Sequence, residues 1–174
     1  AHAMWGGDEQ LISAGRDGTV RFWKLGSMGG ACPTQLFALS EHTDWVNDLV
    51  LINENDVTTA FVTASSDCTV KLWHADASGS RPRCITMRQH TDFVKALAFA
   101  PQARRLASAG CDACIMLWDL QQGTPSAKLL CGEAASGMPS HSDSIYALSC
   151  TPSGSLFASG SVDSDVRLWD PRAP

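Results

Sequence analysis

The chain has 174 residues and a net charge of −5, from 13 Lys and Arg against 18 Asp and Glu. It has no run of basic residues, and this argues against direct binding of nucleic acid. No apolar stretch approaches the roughly 20 residues of a membrane-spanning helix. Seven Cys, an odd count, and the absence of an Asn-x-Ser/Thr acceptor favour a reducing compartment, the cytosol or the nucleus.

One unit recurs along the chain. In four places an Asp is followed by a Trp at the sixth position after it. The pairs are Asp17 and Trp23, Asp67 and Trp73, Asp112 and Trp118, and Asp163 and Trp169. They recur near the interval of about 40–45 residues that is typical of a four-stranded propeller blade. The sequence therefore predicts an all-β propeller fold with about four blades.

The repeats divide the chain approximately into residues 1–40, 41–89, 90–140 and 141–174. Propellers close with about four to eight blades, so four is the lower limit. Little room precedes Asp17 for an additional strand, and the strand that should follow Trp169 is missing from the sequence. We therefore expect an excerpt from a longer propeller, in which the first and last blades are incomplete.

The segments that end at each Trp alternate apolar and polar residues, or nearly so, and this predicts strands. In chain order they are residues 19–23, 69–73, 114–118 and 165–169. The Asp lies in the preceding turn, where its carboxylate can accept backbone N–H groups. Short runs such as residues 61–65 and 106–110 supply the strand before that turn, so hairpins are the simplest interpretation. Weaker outer strands are predicted at residues 36–39 and 84–87.

An apolar stretch follows each of His42, His90 and His141, which begin His-Thr-Asp or His-Ser-Asp triplets. The spacing of its apolar residues predicts an innermost strand with a bulge. These residues are Val46, Leu49 and Leu51, then Val94, Leu97 and Phe99, then Ile145, Leu148 and Cys150. A tight turn is predicted at residues 152–154. Gly-, Ser- and Pro-rich loops account for the uneven repeat spacing, at residues 26–33, 53–58, 77–82 and 132–140.

Each of the last three repeats combines a His, a hydroxyl residue, an Asp and a Trp. The sets are His42, Thr63, Asp67 and Trp73; His90, Ser108, Asp112 and Trp118; and His141, Ser159, Asp163 and Trp169; the first repeat supplies Ser13, Asp17 and Trp23. Ser, His and Asp within hydrogen-bond reach could serve nucleophilic catalysis. An enzyme needs such a set once, whereas this one recurs. We therefore interpret it as a structural network that ties strands to the turn.

Two further motifs carry less information. Cys111 and Cys114 form a lone Cys-x-x-Cys, without the second Cys pair or His pair that a zinc site requires. Residues 132–137 superficially resemble a phosphate-binding loop, but Met138 and Pro139 stand where Lys and Ser or Thr are needed. We expect neither a metal nor a cofactor.

In a propeller, the residues beside the start of each inner strand and before each turn Asp lie at the rim of the central channel. Here they are Trp45, Asn47, Phe93, Lys95, Ser144 and Tyr146, with Arg16, Ser66, Cys111 and Val162 beside them. Trp, Tyr and Arg are common anchors of protein interfaces, and we predict that this rim binds a protein. The alternative is that Trp45 and Phe93 pack over neighbouring blades.

Several segments of this chain carry a family resemblance. They are HTDWVNDLVL (42–51), ASSDCTVKLW (64–73), DFVKALAFA (92–100), SAGCDACIMLWD (108–119), DSIYALS (143–149) and SGSVDSDVRLWDPR (159–172). The chain resembles the WD40 repeat family and, more narrowly, the WD-repeat cofactors of ubiquitin-specific deubiquitinases. This resemblance implies a non-catalytic scaffold with a propeller of about seven or eight blades. The scaffold would bind a deubiquitinase, with ubiquitin as a second partner, and would raise the enzyme's activity. A late endosomal or lysosomal location is also implied.

Two other functions remain open. Residues 169–172, Trp-Asp-Pro-Arg, fit the W-D-x-R box of substrate receptors for cullin-RING ubiquitin ligases. This box is short and common among WD40 proteins, so it discriminates poorly. A hydrolase built on one set of His, Asp and Ser is the remaining alternative.

Overall fold

The computed structural model describes residues 1–5, 10–26, 32–54, 57–74, 81–120, 126–131 and 140–172. Within these ranges the chain forms fifteen β-strands and no helix. The all-β prediction is therefore confirmed. Predicted loop residues 27–31, 55–56, 77–80 and 132–139 lie outside the described residues, as does the rejected phosphate-loop motif.

The strands form four antiparallel sheets, here numbered I to IV, and each sheet follows chain order. Sheet I contains β1 (His2–Trp5), β2 (Gln10–Ala14), β3 (Val20–Lys24) and β4 (Thr34–Leu39). Sheet II contains β5 (Val46–Glu54), β6 (Val57–Ser65), β7 (Val70–His74) and β8 (Arg83–Met87). Sheet III contains β9 (Val94–Ala100), β10 (Arg105–Gly110), β11 (Ile115–Asp119) and β12 (Ser126–Cys131), and sheet IV contains β13 (Ile145–Cys150), β14 (Phe157–Ser161) and β15 (Val166–Trp169). Each sheet has the meandering strand order of a propeller blade.

The number of strands agrees with the prediction in the last sheet but not in the first. Sheet IV has three strands among the described residues, as predicted. Sheet I has four, so the prediction that its first strand is missing was wrong. The reason is that β1 needs only four residues to pair with β2, from His2 opposite Ser13 to Trp5 opposite Gln10. The space before Asp17 is therefore sufficient.

The predicted bulges are present in the innermost strands of sheets II, III and IV. The pairing register shifts between Val46 and Asp48, between Val94 and Ala96, and between Ile145 and Ala147. The predicted outer strands near residues 36–39 and 84–87 form β4 and β8. The tight turn at residues 152–154 is closed by the Gly154 N–H, which donates to the Thr151 carbonyl at 2.9 Å.

The turn after the second strand of each sheet has one conformation. Its Asp carboxylate accepts a hydrogen bond from the backbone N–H of the residue two positions later. The donors are Thr19, Thr69, Cys114 and Asp165, and the acceptors are Asp17, Asp67, Asp112 and Asp163, in the same order. The residue between them has positive φ: Gly18 at 74°, Cys68 at 63°, Ala113 at 55° and Ser164 at 71°. Three of the four turns thus hold a residue with a side chain in the left-handed region, where glycine is normally favoured.

The core is a series of layers between successive sheets. In sheets I to III, the third strand of the sheet has two residues that face the next sheet. They lie three positions and one position before the Trp of that strand. Val70 and Leu72 of sheet II, for example, pack with Leu106 and Trp118 of sheet III. Equivalent clusters join sheet I to sheet II and sheet III to sheet IV. Full burial of one such side chain contributes about 1.5–3 kcal/mol, so these layers are a major source of stability.

Gly110 should be essential at the bulge of sheet III. A Cβ at this position would lie 2.1 Å from the carbonyl oxygen of Phe93. We expect Gly110→Ala to lower the free energy of unfolding by about 1–3 kcal/mol or more, because the backbone must move. Gly160→Ala is the matched control, since its Cβ would meet only the Ala147 Cβ at 3.6 Å. Its effect should stay within about 1 kcal/mol. Urea unfolding measures both, and equal stabilities would contradict the prediction.

Candidate functional site

A buried chain of hydrogen bonds runs through each of sheets II, III and IV. In sheet III the Trp118 Nε1–H donates to Ser108 Oγ at 2.8 Å, and His90 Nε2 lies 2.7 Å from the same oxygen. His90 Nδ1 lies 2.8 Å from Asp112 Oδ2. The same contacts join Trp73, Thr63, His42 and Asp67 in sheet II, and Trp169, Ser159, His141 and Asp163 in sheet IV. We call these sets the tetrads.

One assignment of protons satisfies every group of a tetrad. The indole N–H donates to the hydroxyl oxygen, the hydroxyl donates to His Nε2, and the His Nδ1–H donates to the carboxylate. Thr63, Ser108 and Ser159 are at most 2% exposed. Because each hydroxyl oxygen is buried and already bound by an indole, no substrate carbonyl can reach it. The tetrads therefore lack the access that nucleophilic catalysis requires.

Ionisation within the tetrads follows from burial and hydrogen bonding. Burial opposes the charge on Asp67 and Asp112, but their hydrogen bonds outweigh it and hold both pKa values below the usual range. Asp112 is bound by His90 and by the backbone N–H groups of Cys114 and Thr91. Burial lowers the pKa of His42, against the opposing effect of Asp67. The His42–Asp67 pair therefore consists of a neutral imidazole and an ionised carboxylate at neutral pH.

The first repeat has a reduced version of this network. Trp23 Nε1–H donates to Ser13 Oγ at 2.8 Å, as in the other repeats. Asp17 is exposed and binds Thr19 and Arg21 instead of a His. These contacts hold the pKa of Asp17 below its usual range. Ser13, Asp17 and Trp23 thus organise the turn without a buried histidine.

The predicted rim residues lie at the edge where the inner strands begin. Trp45, Phe93 and Tyr146 are 46%, 43% and 57% exposed. The Arg16 guanidinium lies 4.7 Å from the centre of the Trp45 ring, and the Lys95 ammonium lies 5.1 Å from that of Phe93. Each cation attracts the face of its ring, which fixes the ring's orientation while much of its surface stays in solvent.

Backbone contacts attach this rim to the turns. The carbonyls of Trp45, Phe93 and Ser144 accept the N–H groups of Ser66, Cys111 and Val162, at 2.8, 2.8 and 3.0 Å. The N–H groups of the same three residues are bound by Asp44, Asp92 and Asp143. Asp44, Asp92 and Asp143 were not singled out from the sequence, although Asp before the first strand residue is a known turn signal.

Three rim contacts cross from one sheet to the next. Besides the Arg16–Trp45 pair, Asn47 Nδ2 donates to the Val94 carbonyl of sheet III at 2.7 Å, and within sheet II it also donates to Ser66 Oγ at 3.0 Å. Lys95 Nζ donates to Ser66 Oγ at 3.4 Å. Tyr146 lies beside Cys111, whose charge and hydrogen bond raise the pKa of the phenol. The amide of Asn47 is therefore used in joining sheets, while the aromatic rings remain accessible.

Asp48 joins two sheets beside the rim and was not predicted from the sequence. Its Oδ2 accepts the Leu97 N–H of sheet III at 2.8 Å, and its Oδ1 accepts the Leu49 N–H at 2.8 Å. Burial raises the pKa of this carboxyl, although the two N–H groups oppose the shift. Ala96 and Ala147 occupy the equivalent strand positions of sheets III and IV. The signal in the sequence was therefore a carboxylate at a strand position where the other two repeats have Ala.

Metal sites and membrane-spanning helices are absent from the part of the chain that the structure describes. There, no group of three or more His, Cys, Asp or Glu side chains is placed to hold a metal ion. No helix long or apolar enough to cross a membrane occurs in those ranges either. A cavity of about 300 Å³ opens between sheets II and III, at the strand ends remote from the rim. Its lining consists of Ile52, Thr59, Ala60, Leu72, His74, Phe99, Arg104 and Leu120.

Comparison with protein families gives one result. The sequence profile of the family described as WD domain, G-beta repeat matches the chain four times. The matches cover residues 2–24, 33–74, 82–119 and 132–170. Each of them includes one Asp-to-Trp unit.

Asp112 and Asp17 occupy equivalent turn positions, but only Asp112 binds a buried His. We therefore expect their replacement to change the free energy of unfolding by different amounts. Asp112→Ala removes the partner of a buried His, and we expect the free energy of unfolding to fall by about 2–4 kcal/mol. The matched control is Asp17→Ala, whose carboxylate is exposed and binds no His. This change should cost no more than about 1 kcal/mol. Urea unfolding of the two variants measures the difference. An equal loss in both would show that the buried network adds no stability.

Stability should also fall in acid in two steps. The unfolded chain protonates His42 below about pH 6.5, whereas the folded chain keeps it neutral, so unfolding takes up a proton there. Below about pH 4 the unfolded chain protonates Asp67 and Asp112 while the folded chain keeps them ionised, which again favours unfolding. Urea unfolding across this range measures both steps. Asp112→Ala should weaken only the lower one, and stability that is unchanged between neutral pH and about pH 5 would contradict the assignment of His42.

Proposed function

Because the chain belongs to the WD40 repeat family, whose propellers generally act as protein-interaction scaffolds, we propose that its rim binds and activates a ubiquitin-specific deubiquitinase in the cytosol or nucleus. The observation that carries this proposal is the set of exposed aromatic rings Trp45, Phe93 and Tyr146 on one edge. The choice of enzyme class rests on the sequence segments, such as HTDWVND and DSIY, that resemble deubiquitinase cofactors. Ubiquitin itself is the second ligand that we propose for this rim.

The rim has the chemistry of an interface anchor. Large aromatic rings contribute most of the binding energy in protein interfaces, and Trp, Tyr and Arg are enriched among such residues. Arg16 and Lys95 hold the Trp45 and Phe93 rings in place before a partner arrives. A preorganised side chain loses less conformational entropy on binding, which leaves more of the contact energy as affinity.

Activation follows from the stiffness of the platform. Tetrads and packed sheets give the rim one shape, so a partner conformation that fits this shape binds more tightly than one that does not. The population of the fitting conformation rises by the ratio of the two affinities. A tenfold shift requires a difference of only about 1.4 kcal/mol. The scaffold therefore raises the partner's kcat without placing a side chain in its active site.

A second candidate function rests on residues at the end of β15, on the side of sheet IV away from the rim. Arg172 follows Trp169 and Asp170 in the W-D-x-R pattern, and its guanidinium donates to both Asp170 oxygens, at 2.9 and 2.7 Å. The Arg172 side chain is 69% exposed. This geometry supports docking to the adaptor of a cullin-RING ligase. Affinity purification from cells followed by mass spectrometry separates the two candidates, because a deubiquitinase and a ligase adaptor are different partners.

The rim proposal predicts loss of both binding and activation. The double variant Trp45→Ala, Phe93→Ala should bind the recovered deubiquitinase at least about tenfold more weakly, because two anchors are lost. It should also fail to raise the kcat of that enzyme. Leu36→Ala is the control, since Leu36 is 48% exposed on an outer strand away from the rim. Unchanged affinity in a folded double variant would refute the rim as the binding surface.

A further inference from the structure

Two neighbouring side chains of β5 bind the outer edge of β9 in the next sheet. Asp48 Oδ2 accepts the Leu97 N–H at 2.8 Å, and Asn47 Nδ2 donates to the Val94 carbonyl at 2.7 Å. In the part of the chain that the structure describes, β9 is the end strand of sheet III and pairs with β10 alone. Side chains of sheet II therefore satisfy one N–H and one C=O of this edge, as a paired strand would.

The bulge of β5 explains how two consecutive residues reach the same strand. In a regular strand, successive side chains point to opposite faces of the sheet. The register of β5 against β6 shifts between Val46 and Asp48, which leaves Asn47 as the extra residue of the bulge and lets both side chains bind sheet III. Ala96 and Ala147 occupy the position of Asp48 in the next two sheets and have no group that could accept such a bond. The Asn47–Asp48 pair is thus a property of the junction between sheets II and III.

This pair lies beside two aromatic rings of the rim. Trp45 directly precedes β5 and stands two residues before Asn47. Phe93 directly precedes β9, and the next residue is Val94, whose carbonyl Asn47 binds. Each ring-bearing residue is therefore within two positions of a hydrogen bond that joins the sheets. That bond limits how far one ring can move relative to the other.

A second set of contacts joins the same two rings through Ser66. The Trp45 carbonyl accepts the Ser66 N–H at 2.8 Å. Ser66 Oγ lies 3.0 Å from Asn47 Nδ2 and 3.4 Å from Lys95 Nζ, so it accepts one donor from each sheet. The Lys95 ammonium in turn lies over the Phe93 ring. The two rings are thus linked by contacts on both sides of Asn47.

We propose that Asn47 and Asp48 are positioning residues of the rim, which hold Trp45 and Phe93 at one spacing so that a single element of the partner contacts both rings at once. The proposal rests on the function assigned to the rim above. Two rings at a fixed spacing lose less conformational entropy on binding than two rings on sheets that move independently. A partner that contacts both rings gains affinity from the Asn47–Asp48 pair, whereas a partner that contacts one ring gains none.

Binding of the recovered deubiquitinase to variants of the 174-residue chain tests this role. Asp48→Ala should weaken binding about tenfold when both rings are present, and Asn47→Ala should act in the same direction. In chains that already carry Trp45→Ala or Phe93→Ala, Asp48→Ala should change the affinity less than about twofold, because only one ring is left to position. An equal loss in every background would show that Asp48 acts through stability alone and would overturn the proposal, as would an unchanged affinity of Asp48→Ala.

Ile52→Ala is the matched control for Asp48→Ala. Ile52 lies in the same strand, is 6% exposed and packs in the layer between sheets II and III, so its loss weakens the same junction at the other end of β5. The affinity should stay within about twofold of that of the unchanged chain. A loss as large as that of Asp48→Ala would refute a specific role for the pair. Circular dichroism establishes that each variant is folded, and Asn47→Ala carries the test if Asp48→Ala does not fold.

A measurement without the partner separates this proposal from the proposed function. Fluorine NMR of the chain labelled with fluorotryptophan gives a resonance for Trp45, assigned by its absence in Trp45→Phe. Asp48→Ala should shift or broaden this resonance, whereas Ile52→Ala should not. An unchanged resonance in Asp48→Ala refutes the positioning role even if the rim binds the enzyme. Full binding by the double variant Trp45→Ala, Phe93→Ala refutes the rim as the binding surface, and the shared contact with it, even if the resonance moves.

Discussion

The hydrogen bond between a buried His and an Asp carboxylate, repeated in sheets II, III and IV, is the contact on which the rest of this structure depends. In each case the carboxylate that binds the His also accepts the N–H of the next residue, Thr43, Thr91 or Ser142. The turn of one hairpin is thereby tied to the start of the innermost strand. Since Trp45 and Phe93 lie two residues after Thr43 and Thr91, directly before β5 and β9, the position of the rim is set by a buried network several residues away. Structure and candidate function are coupled through this one contact.

The periodic part of the fold was predictable from the sequence. The alternation of apolar and polar residues predicted the strands of each hairpin. The irregular spacing of Val46, Leu49 and Leu51 predicted the bulge. The recurrence of the His, hydroxyl, Asp and Trp set in each repeat indicated a structural role for it. These features lie within one repeat, where sequence distance and spatial distance agree. Contacts between repeats were not predictable in this way. The carboxylate of Asp48 and the amide of Asn47 reach residues of the next sheet, and no pattern within their own repeat specifies those partners.

The junctions between sheets reach the same geometry with different side chains. Sheets I and II are joined by aromatic rings. Phe22 stacks on Phe37 of the same sheet at 4.3 Å between centroids and meets Phe61 of sheet II edge-on at 5.6 Å. Sheets III and IV are joined by small residues, among them Ala107 and Ala109, against Phe157 and Trp169. Close packing requires that volume lost on one side be supplied on the other. A single backbone arrangement is thus compatible with several solutions in sequence.

The left-handed turn residues bear on how such a rim can diversify. A turn of this shape ordinarily needs glycine, as at Gly18, because a side chain in that conformation costs roughly 1–2 kcal/mol. At Cys68, Ala113 and Ser164 the turn Asp is also bound by the tetrad His and by the N–H of the residue after that His, whereas Asp17 binds Thr19 and Arg21. This additional support holds the backbone in place without glycine. Because of the buried network, this turn position next to the rim tolerates residues other than glycine. The molecule can acquire new recognition chemistry there while its architecture stays constant.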